Sequence, residues 1–219
     1  MGKKLFWASA IAAGGLLSVS NAMANIALRR KTAPQATKLD TAGEQWLSGA
    51  KYITHRNYED MRLRAWFIPQ AGCRYAVICH GYGCCGQNML RRAKPFYDMG
   101  FNVLLPDARA HGGSDGGTIG MGWPERRDIV EWIYEILRRD DQAQIVLFGE
   151  SMGAATVMMA AGEVLPAQVK LVVEDSGYTS AWEQFKVSMP PLYHTPPYPV
   201  LPVASLLARL RTGYGFRRM

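Results

Sequence analysis

The sequence predicts an α/β domain: a mostly parallel sheet with helices on both faces. Three observations carry that expectation. Short apolar runs without alternation recur at residues 75–79, 101–105, 144–148 and 169–174, as strands buried on both sides require. Helix-forming segments lie between them, over 88–99, 124–139 and 151–163, so crossovers rather than hairpins join the strands. Finally, Gly149-Glu150-Ser151-Met152-Gly153 falls where a strand passes directly into a helix.

The chain begins differently. Lys3 and Lys4 precede an apolar run over 5–19, and Ala22-Met23-Ala24 offers the small-x-small pattern of a signal-peptidase site, with Asn25 as the mature start. Mildly apolar sequence continues to Leu28, and about 20 apolar residues suffice to cross a bilayer. Residues 1–28 are therefore expected to be a signal peptide or an N-terminal membrane anchor; a helix buried in a cytosolic domain is the plainer alternative. Basic residues at both ends leave the orientation open under the positive-inside rule. The expected product is exported or membrane-anchored, with an extracytoplasmic domain. Residues 29–44 read as a linker, 45–216 as the folded domain and 217–219 as a divergent tail.

Within that domain, 52–57 and 62–69 flank Tyr58-Glu59-Asp60-Met61 and suit an antiparallel strand pair. Gly100 ends the helix over 88–99. In the helix over 124–139, Ile129, Ile133, Ile136 and Leu137 form an apolar stripe, while Asp128, Glu131, Glu135 and Arg138 occupy other faces. Beyond Asp175 the rhythm weakens. Pro190, Pro191, Pro196, Pro197, Pro199 and Pro202 suggest a loop or partial cap, with one short helix over 203–210.

At 219 residues, without an internal repeat, the chain suits one domain with a sizeable core. Its formal charge of +7 first suggests an anionic partner. The distribution removes that reading: residues 39–208 carry 15 Lys and Arg against 18 Asp and Glu, so the excess sits at the two ends. A nucleic-acid partner is excluded on this ground and by the lack of any recognisable binding framework. Four cysteines, Cys73, Cys79, Cys84 and Cys85, form no CxxC pair. Cys79, His80, Cys84 and Cys85 match no zinc spacing, so no metal is expected, and packing thiols are the simpler reading. An exposed Cys84 or Cys85 would be reactive.

The chemistry rests on Ser151. A strand-to-helix turn forces the serine into a sharp, exposed geometry, and close approach of strand and helix favours glycine at 149 and 153. The Met152 N–H and the helix N-terminus then face developing negative charge. His80-Gly81-Tyr82-Gly83 makes a glycine-rich turn at the same sheet edge, placed to give a second oxyanion donor from Tyr82. His80 is expected to hold that loop rather than act as base. A triad of Ser151, Asp107 and His111 runs against the order serine, acid, histidine.

Together with Asp107-Ala108-Arg109-Ala110-His111-Gly112, Met121-Gly122-Trp123-Pro124-Glu125-Arg126 and Glu174-Asp175-Ser176-Gly177-Tyr178, these motifs resemble bacterial α/β-hydrolases of the serine-aminopeptidase-S33-like kind, in an exported or membrane-associated subgroup. The resemblance covers about residues 45–216. It implies Ser151 as nucleophile, the Tyr82 and Met152 N–H groups as oxyanion hole, no cofactor, and a small ester or peptide-like substrate. Asp107 paired with Arg109, and His111, Trp123, Glu125 and Arg126, are expected to organise loops, with Trp123 also suited to line the substrate entrance.

In such relatives the acid and base histidine follow the next two strands, which this sequence does not supply. Asp175 and His194 are the remaining substitutes, and an acidic residue commonly stands at the place of Gly215. The expectation is thus a C-terminally truncated α/β-hydrolase lacking its last strands, with an open sheet edge. Its two functional readings are a serine hydrolase inactive in this form, and a non-catalytic binding module.

Overall fold

The computed structural model of the protein describes residues 2–31 and 45–219. Residues 32–44, most of the expected linker, lie outside the described residues. The chain forms two compact units, one made of residues up to Arg29 with Thr179–Met219, the other of Arg30–Tyr178.

The larger unit is built on a six-stranded sheet. Its strands are β1 (Lys51–Arg56), β2 (Arg62–Ile68), β3 (Arg74–Cys79), β4 (Asn102–Asp107), β5 (Gln144–Glu150) and β6 (Val169–Asp175), in the spatial order β1-β2-β4-β3-β5-β6. β1 pairs with β2 and β2 with β4 in antiparallel fashion; the pairs β3–β4, β3–β5 and β5–β6 are parallel. Antiparallel strands at one side and parallel strands through the centre follow from the connections. The connections over 57–61 and 69–73 are short, so β2 and β3 each reverse direction, whereas β4, β5 and β6 each return through a helix. The α/β class expected from the sequence is the one observed.

Among the described residues, the α-helices of this unit are α2 (Leu90–Asp98), α3 (Glu125–Arg139) and α4 (Met152–Ala161). Alternate strand residues serve opposite layers. Val77, Cys79 and Leu104 pack with Ile129, Trp132, Ile133, Ile136, Val157 and Ala160 of α3 and α4. Ala76, Ile78, Val103 and Leu105 pack with Met89, Ala93 and the Leu47 side chain on the other face. α3 has Glu125 and Asp128 in its first turn and Arg138 and Arg139 in its last, the charge order its dipole favours. β6 is the edge of the sheet, and its Leu171 is 55% exposed.

The smaller unit holds α1 (Gly2–Leu28), α5 (Ala181–Tyr193) and α6 (Val200–Thr212). α1 packs on α6 through its last third, where the Ser20 hydroxyl donates to the Val200 carbonyl at 3.2 Å and Arg211 donates to Asn21 and Asn25. From Trp7 to Val19, by contrast, every residue of α1 is exposed except the half-buried Leu16. The loop expected around Pro190 and Pro191 is corrected by α5, and the helix expected over 203–210 begins earlier, at Val200. Ser180 explains the first: its hydroxyl accepts from the Glu183 N–H at 3.2 Å and caps α5. The two prolines fall in the last turn, so the amides they withhold come where the helix stops, at Tyr193. The tail is docked rather than loose, with Ala181 N–H donating to the Met219 carbonyl at 2.7 Å and Phe216 buried against Phe185.

One buried ion pair ties the loop after β4 to α3. The Arg109 guanidinium donates to both Asp128 oxygens at 2.7 Å, and its far side reaches Glu59 at 3.0 Å. Arg109 and Asp128 are almost wholly enclosed, while Glu59 is 44% exposed. Burial opposes the arginine charge, yet the Asp128 bonds prevail and hold its pKa above the ordinary value. Asp128→Ala is expected to lower unfolding free energy by about 3–5 kcal/mol, because it strands a buried guanidinium. Glu59→Ala should cost less than about 1 kcal/mol. Urea denaturation of the two variants checks the difference.

Candidate active site

The strand β5 ends at Glu150, α4 begins at Met152, and the one residue between them is Ser151. Its backbone sits at φ 56°, ψ −116°, a region that side-chain-bearing residues avoid. Tight packing on both sides enforces it. A Cβ on Gly149 would lie 2.2 Å from the Gly153 carbonyl oxygen, and a Cβ on Gly153 would lie 2.2 Å from the Cys79 carbonyl oxygen. Helix and strands thus approach at backbone contact, and the chain has only Ser151 in which to turn. The bend is pinned by the Ser151 N–H donating to the Asp175 carbonyl at 2.8 Å and by the Ala155 N–H donating to Ser151 at 3.0 Å. The serine side chain is left exposed.

The turn after β3 lies over that serine. A Cβ on Gly81 would meet the Ser151 Cβ at 3.4 Å and Oγ at 3.8 Å, so this backbone borders the hydroxyl directly. Tyr82 follows in the same turn, and Met152 gives the first amide of α4, which has no partner within the helix.

Two buried histidines hold these loops. His80 Nε2 accepts from the Ala108 N–H at 3.0 Å, which leaves Nδ1 to donate to the Gly81 carbonyl at 2.8 Å. His111 repeats the arrangement, with Nε2 accepting from the Gly83 N–H at 3.2 Å and Nδ1 donating to the Arg109 carbonyl at 3.0 Å. Both rings are neutral, with both nitrogens committed. Burial pushes His80 down to about 4. Burial and then the neighbouring His80 push His111 down to about 3. His55 packs edge-on against Trp132, and its Nε2 is sealed from solvent. His194 belongs to the smaller unit, where it closes α5 in a left-handed conformation and is exposed.

The expected Asp107–Arg109 pair does not form. Asp107 accepts from the amides of Gly86 at 2.7 Å and Gly113 at 2.8 Å and from the Tyr52 hydroxyl at 3.0 Å. With its oxygens filled by these donors, it leaves Arg109 to Asp128, whose position on α3 presents both oxygens to the planar guanidinium. Glu125 is buried and accepts from the Gly120 and Gly122 amides at 2.7 and 3.0 Å, closing the loop before α3. Burial pushes its pKa up to about 7 against the pull of those donors. The Arg126 guanidinium stacks 3.5 Å above the Trp123 ring and donates to Glu163 at 2.6 Å. Asp175 is paired with Arg92 at 3.0 Å, and Arg92 also holds Glu150 at 2.7 Å. Cys85 is buried, not exposed, and burial raises both its thiol and that of Cys84, away from the reactive thiolate.

Sequence reasoning passed over two residues that border the site. Arg92 bridges the ends of β5 and β6 from α2, and nothing in its local sequence signals that reach. Lys31 lies 5.3 Å from the Tyr82 ring centroid and pairs by backbone with the loop beside His111.

The pH dependence of stability follows from these groups. His80 and His111 are lowered, so the unfolded chain takes up protons first as pH falls below about 6.5. Their contribution is complete above that pH and is lost towards 4 and 3. Glu125 is raised, so it acts oppositely, and its stabilisation is lost as pH rises from 4.5 to about 7. Between these limits the two histidines outweigh the one acid, so stability falls on acidification. Urea titrations from neutral pH to about pH 4 should show stability falling on acidification, more steeply in Glu125→Gln and less so in His111→Gln.

Residues 77–199 match the family described as alpha/beta hydrolase fold. The Bacillus subtilis protein named uncharacterized protein YqkD is 30% identical over 178 residues, which are 74% of this chain and 58% of that protein. Mycobacterium tuberculosis uncharacterized protein Rv2307c is 32% identical over 168 residues, covering 74% of this chain and 54% of its own length. The chain thus spans little more than half the length of these relatives. Among solved structures, the Pyrococcus furiosus esterase Pf2001 superposes with a TM-score of 0.65 at 23% identity, covering 82% of this chain and 69% of the esterase. At that identity the likeness concerns the fold. Its sheet, its strand-to-helix bend and the family match over most of the larger unit together place the chain in the alpha/beta hydrolase family.

Proposed function

We propose that this chain carries the nucleophile and oxyanion donors of a serine hydrolase that cleaves an ester, thioester or amide through an acyl-enzyme. The observation that carries the reading is Ser151 itself: an exposed hydroxyl held at φ 56° between a strand and a helix, with the Gly81 turn against it. Oγ would attack the carbonyl carbon, and the Met152 and Tyr82 N–H groups would receive the oxygen as it gains charge. The N-terminal end of α4 adds its dipole to the same place. No cofactor is needed for that step.

The base is the open term in this mechanism. Among the three histidines of the larger unit, His80 and His111 have both ring nitrogens engaged and His55 is sealed. Asp175 is held by Arg92 and cannot orient an imidazole without giving up that pair. A site with oxyanion donors but without its base retains roughly 10³–10⁴ of rate over water. We therefore propose that residues 1–219 alone acylate and turn over slowly, at no more than that residual rate. The same observation favours the second reading, a binding module that uses the exposed surface at Ser151 without catalysis.

For localisation we propose that α1 works in a membrane, as an anchor or as an export signal. Its stretch Trp7–Leu28 is apolar, and the part before Ser20, which α6 leaves exposed, would enter the bilayer with Lys3 and Lys4 at its far side, a short span that local thinning accommodates.

Titration with a fluorophosphonate probe tests the chemistry. Labelling should be slow, confined to Ser151 and absent in Ser151→Ala. Rapid stoichiometric labelling together with ester turnover would refute the claim of inactivity; undiminished labelling of Ser151→Ala would refute the nucleophile. Gly81→Ala offers a finer check, since its Cβ makes ordinary contacts of 3.4–3.8 Å. Its melting temperature should stay close to that of the unaltered chain, while labelling falls about tenfold or more as the approach to Oγ narrows.

A further inference from the structure

The two places where the chain leaves the Arg30–Tyr178 unit both lie at the rim of the Ser151 bend. At the first, the Lys31 N–H donates to the Ala110 carbonyl at 2.8 Å and the Gly112 N–H donates back to Lys31 at 3.1 Å. Arg30 donates to the Gly116 carbonyl at 2.8 Å, and the Lys31 ammonium stands over the Tyr82 ring. At the second, β6 ends in Asp175, whose carbonyl accepts from Ser151, and the chain passes along α4. A Cβ on Gly177 would lie 3.1 Å from the Ala154 Cβ. Tyr178 then donates to the Met121 carbonyl at 3.0 Å. Neither exit is at the far end of the sheet, where the α3–β5 turn carries Gln142.

What lies beyond the first exit is α1. From Trp7 to Val19 it exposes apolar surface, with Trp7 at 64% and Ile11 at 73%. Just past this stretch, Asn21 and Asn25 bond to Arg211, a polar cluster that belongs at headgroup depth rather than in hydrocarbon. Arg29, Arg30 and Lys31 follow, three cations of the kind drawn to anionic lipid. The nine helical steps from Val19 to Leu28 rise about 14 Å, and three more residues reach Lys31 within about 10 Å. Lys31, the attachment point beside the oxyanion turn, therefore lies no more than roughly 25 Å along the chain from the hydrocarbon boundary. Lys31 is bonded into that turn's own surroundings, so the covalent link to α1 starts beside it.

We propose that the acyl donor is an amphiphile resident in the bilayer, a long-chain lipid ester, and not a solute of the aqueous phase. This rests on the acyl-transfer reading of Ser151 and on α1 remaining as an anchor. In the step itself the Oγ–acyl bond forms, the ester C–O bond breaks, and the serine proton ends on the departing alcohol. Water then divides the acyl-serine into a free fatty acid and the restored hydroxyl. The tether raises the local concentration of membrane-borne ester at Ser151 and does nothing for a soluble one.

The test uses the full chain in vesicles of phosphatidylethanolamine and phosphatidylglycerol. A fluorophore is placed either at Gly117→Cys, an exposed position with open space beside Gly116, or at Gln142→Cys, with Cys73 and Cys84 replaced by serine. Lipid-borne quenchers should dim the Gly117 label severalfold more than the Gln142 label; equal quenching would overturn the tethered geometry. In the same vesicles, a long-chain fluorophosphonate dissolved in the bilayer should label Ser151 at least about tenfold faster than a short water-soluble one. Equal rates would overturn the lipid substrate while leaving the acyl-transfer reading intact. Labelling by neither probe would overturn that reading and the proposal with it. Release of a product beginning at Asn25 would overturn the anchor, and with it the proposal.

Discussion

Backbone contact between the start of α4 and the end of β3 is the constraint on which the site depends. Gly153 touches the Cys79 carbonyl where no side chain fits, and Gly149 touches Gly153 in the same way. That contact leaves the chain no room for a gradual turn. It places the whole change of direction in Ser151, at a backbone conformation that costs of order 1–3 kcal/mol. Packing of α4, buried on nearly every face from Met152 to Ala160, meets that cost. Stability and exposure therefore share a cause: the burial that strains the serine also leaves its side chain exposed.

A second layer of constraint surrounds the first. Each loop that borders the bend is held by a buried polar side chain saturated with backbone donors or acceptors. Asp107 gathers the amides of Gly86 and Gly113, Glu125 those of Gly120 and Gly122, and the two histidines tie the 80–83 turn to the 108–111 loop. Such groups are expensive to bury and more expensive to leave half-satisfied, so the loops have few alternative shapes. The same saturation removes His80 and His111 from catalysis. An imidazole whose nitrogens are both spent on holding backbone cannot also carry a proton to and fro.

Much of this was legible in the sequence. The crossover rhythm, the apolar strands and the Gly-x-Ser-x-Gly bend are local patterns, and local patterns survive without knowledge of the fold. The stripe of Ile129, Ile133 and Ile136 marked the buried face of α3 for the same reason. The pairing of Asp107 with Arg109 failed because proximity along the chain says nothing about which acceptors are already filled. The prolines at 190 and 191 misled because their effect depends on where in a helix they fall, and the Ser180 cap that starts α5 lies ten residues earlier.

By its own pattern of residues the sequence determined the α/β class, the strand-to-helix serine and the apolar N-terminal segment, since each is written in neighbours or in a fixed period. Tertiary structure alone decided what surrounds them: Arg109 on Asp128, Arg92 across Glu150 and Asp175, Lys31 over Tyr82, and both chain exits of the larger unit on the Ser151 side of its sheet. Those partners sit far apart in the chain and meet only because the parallel sheet brings its strand ends to one side. Periodicity can name the elements, but charges and carbonyls choose partners in space.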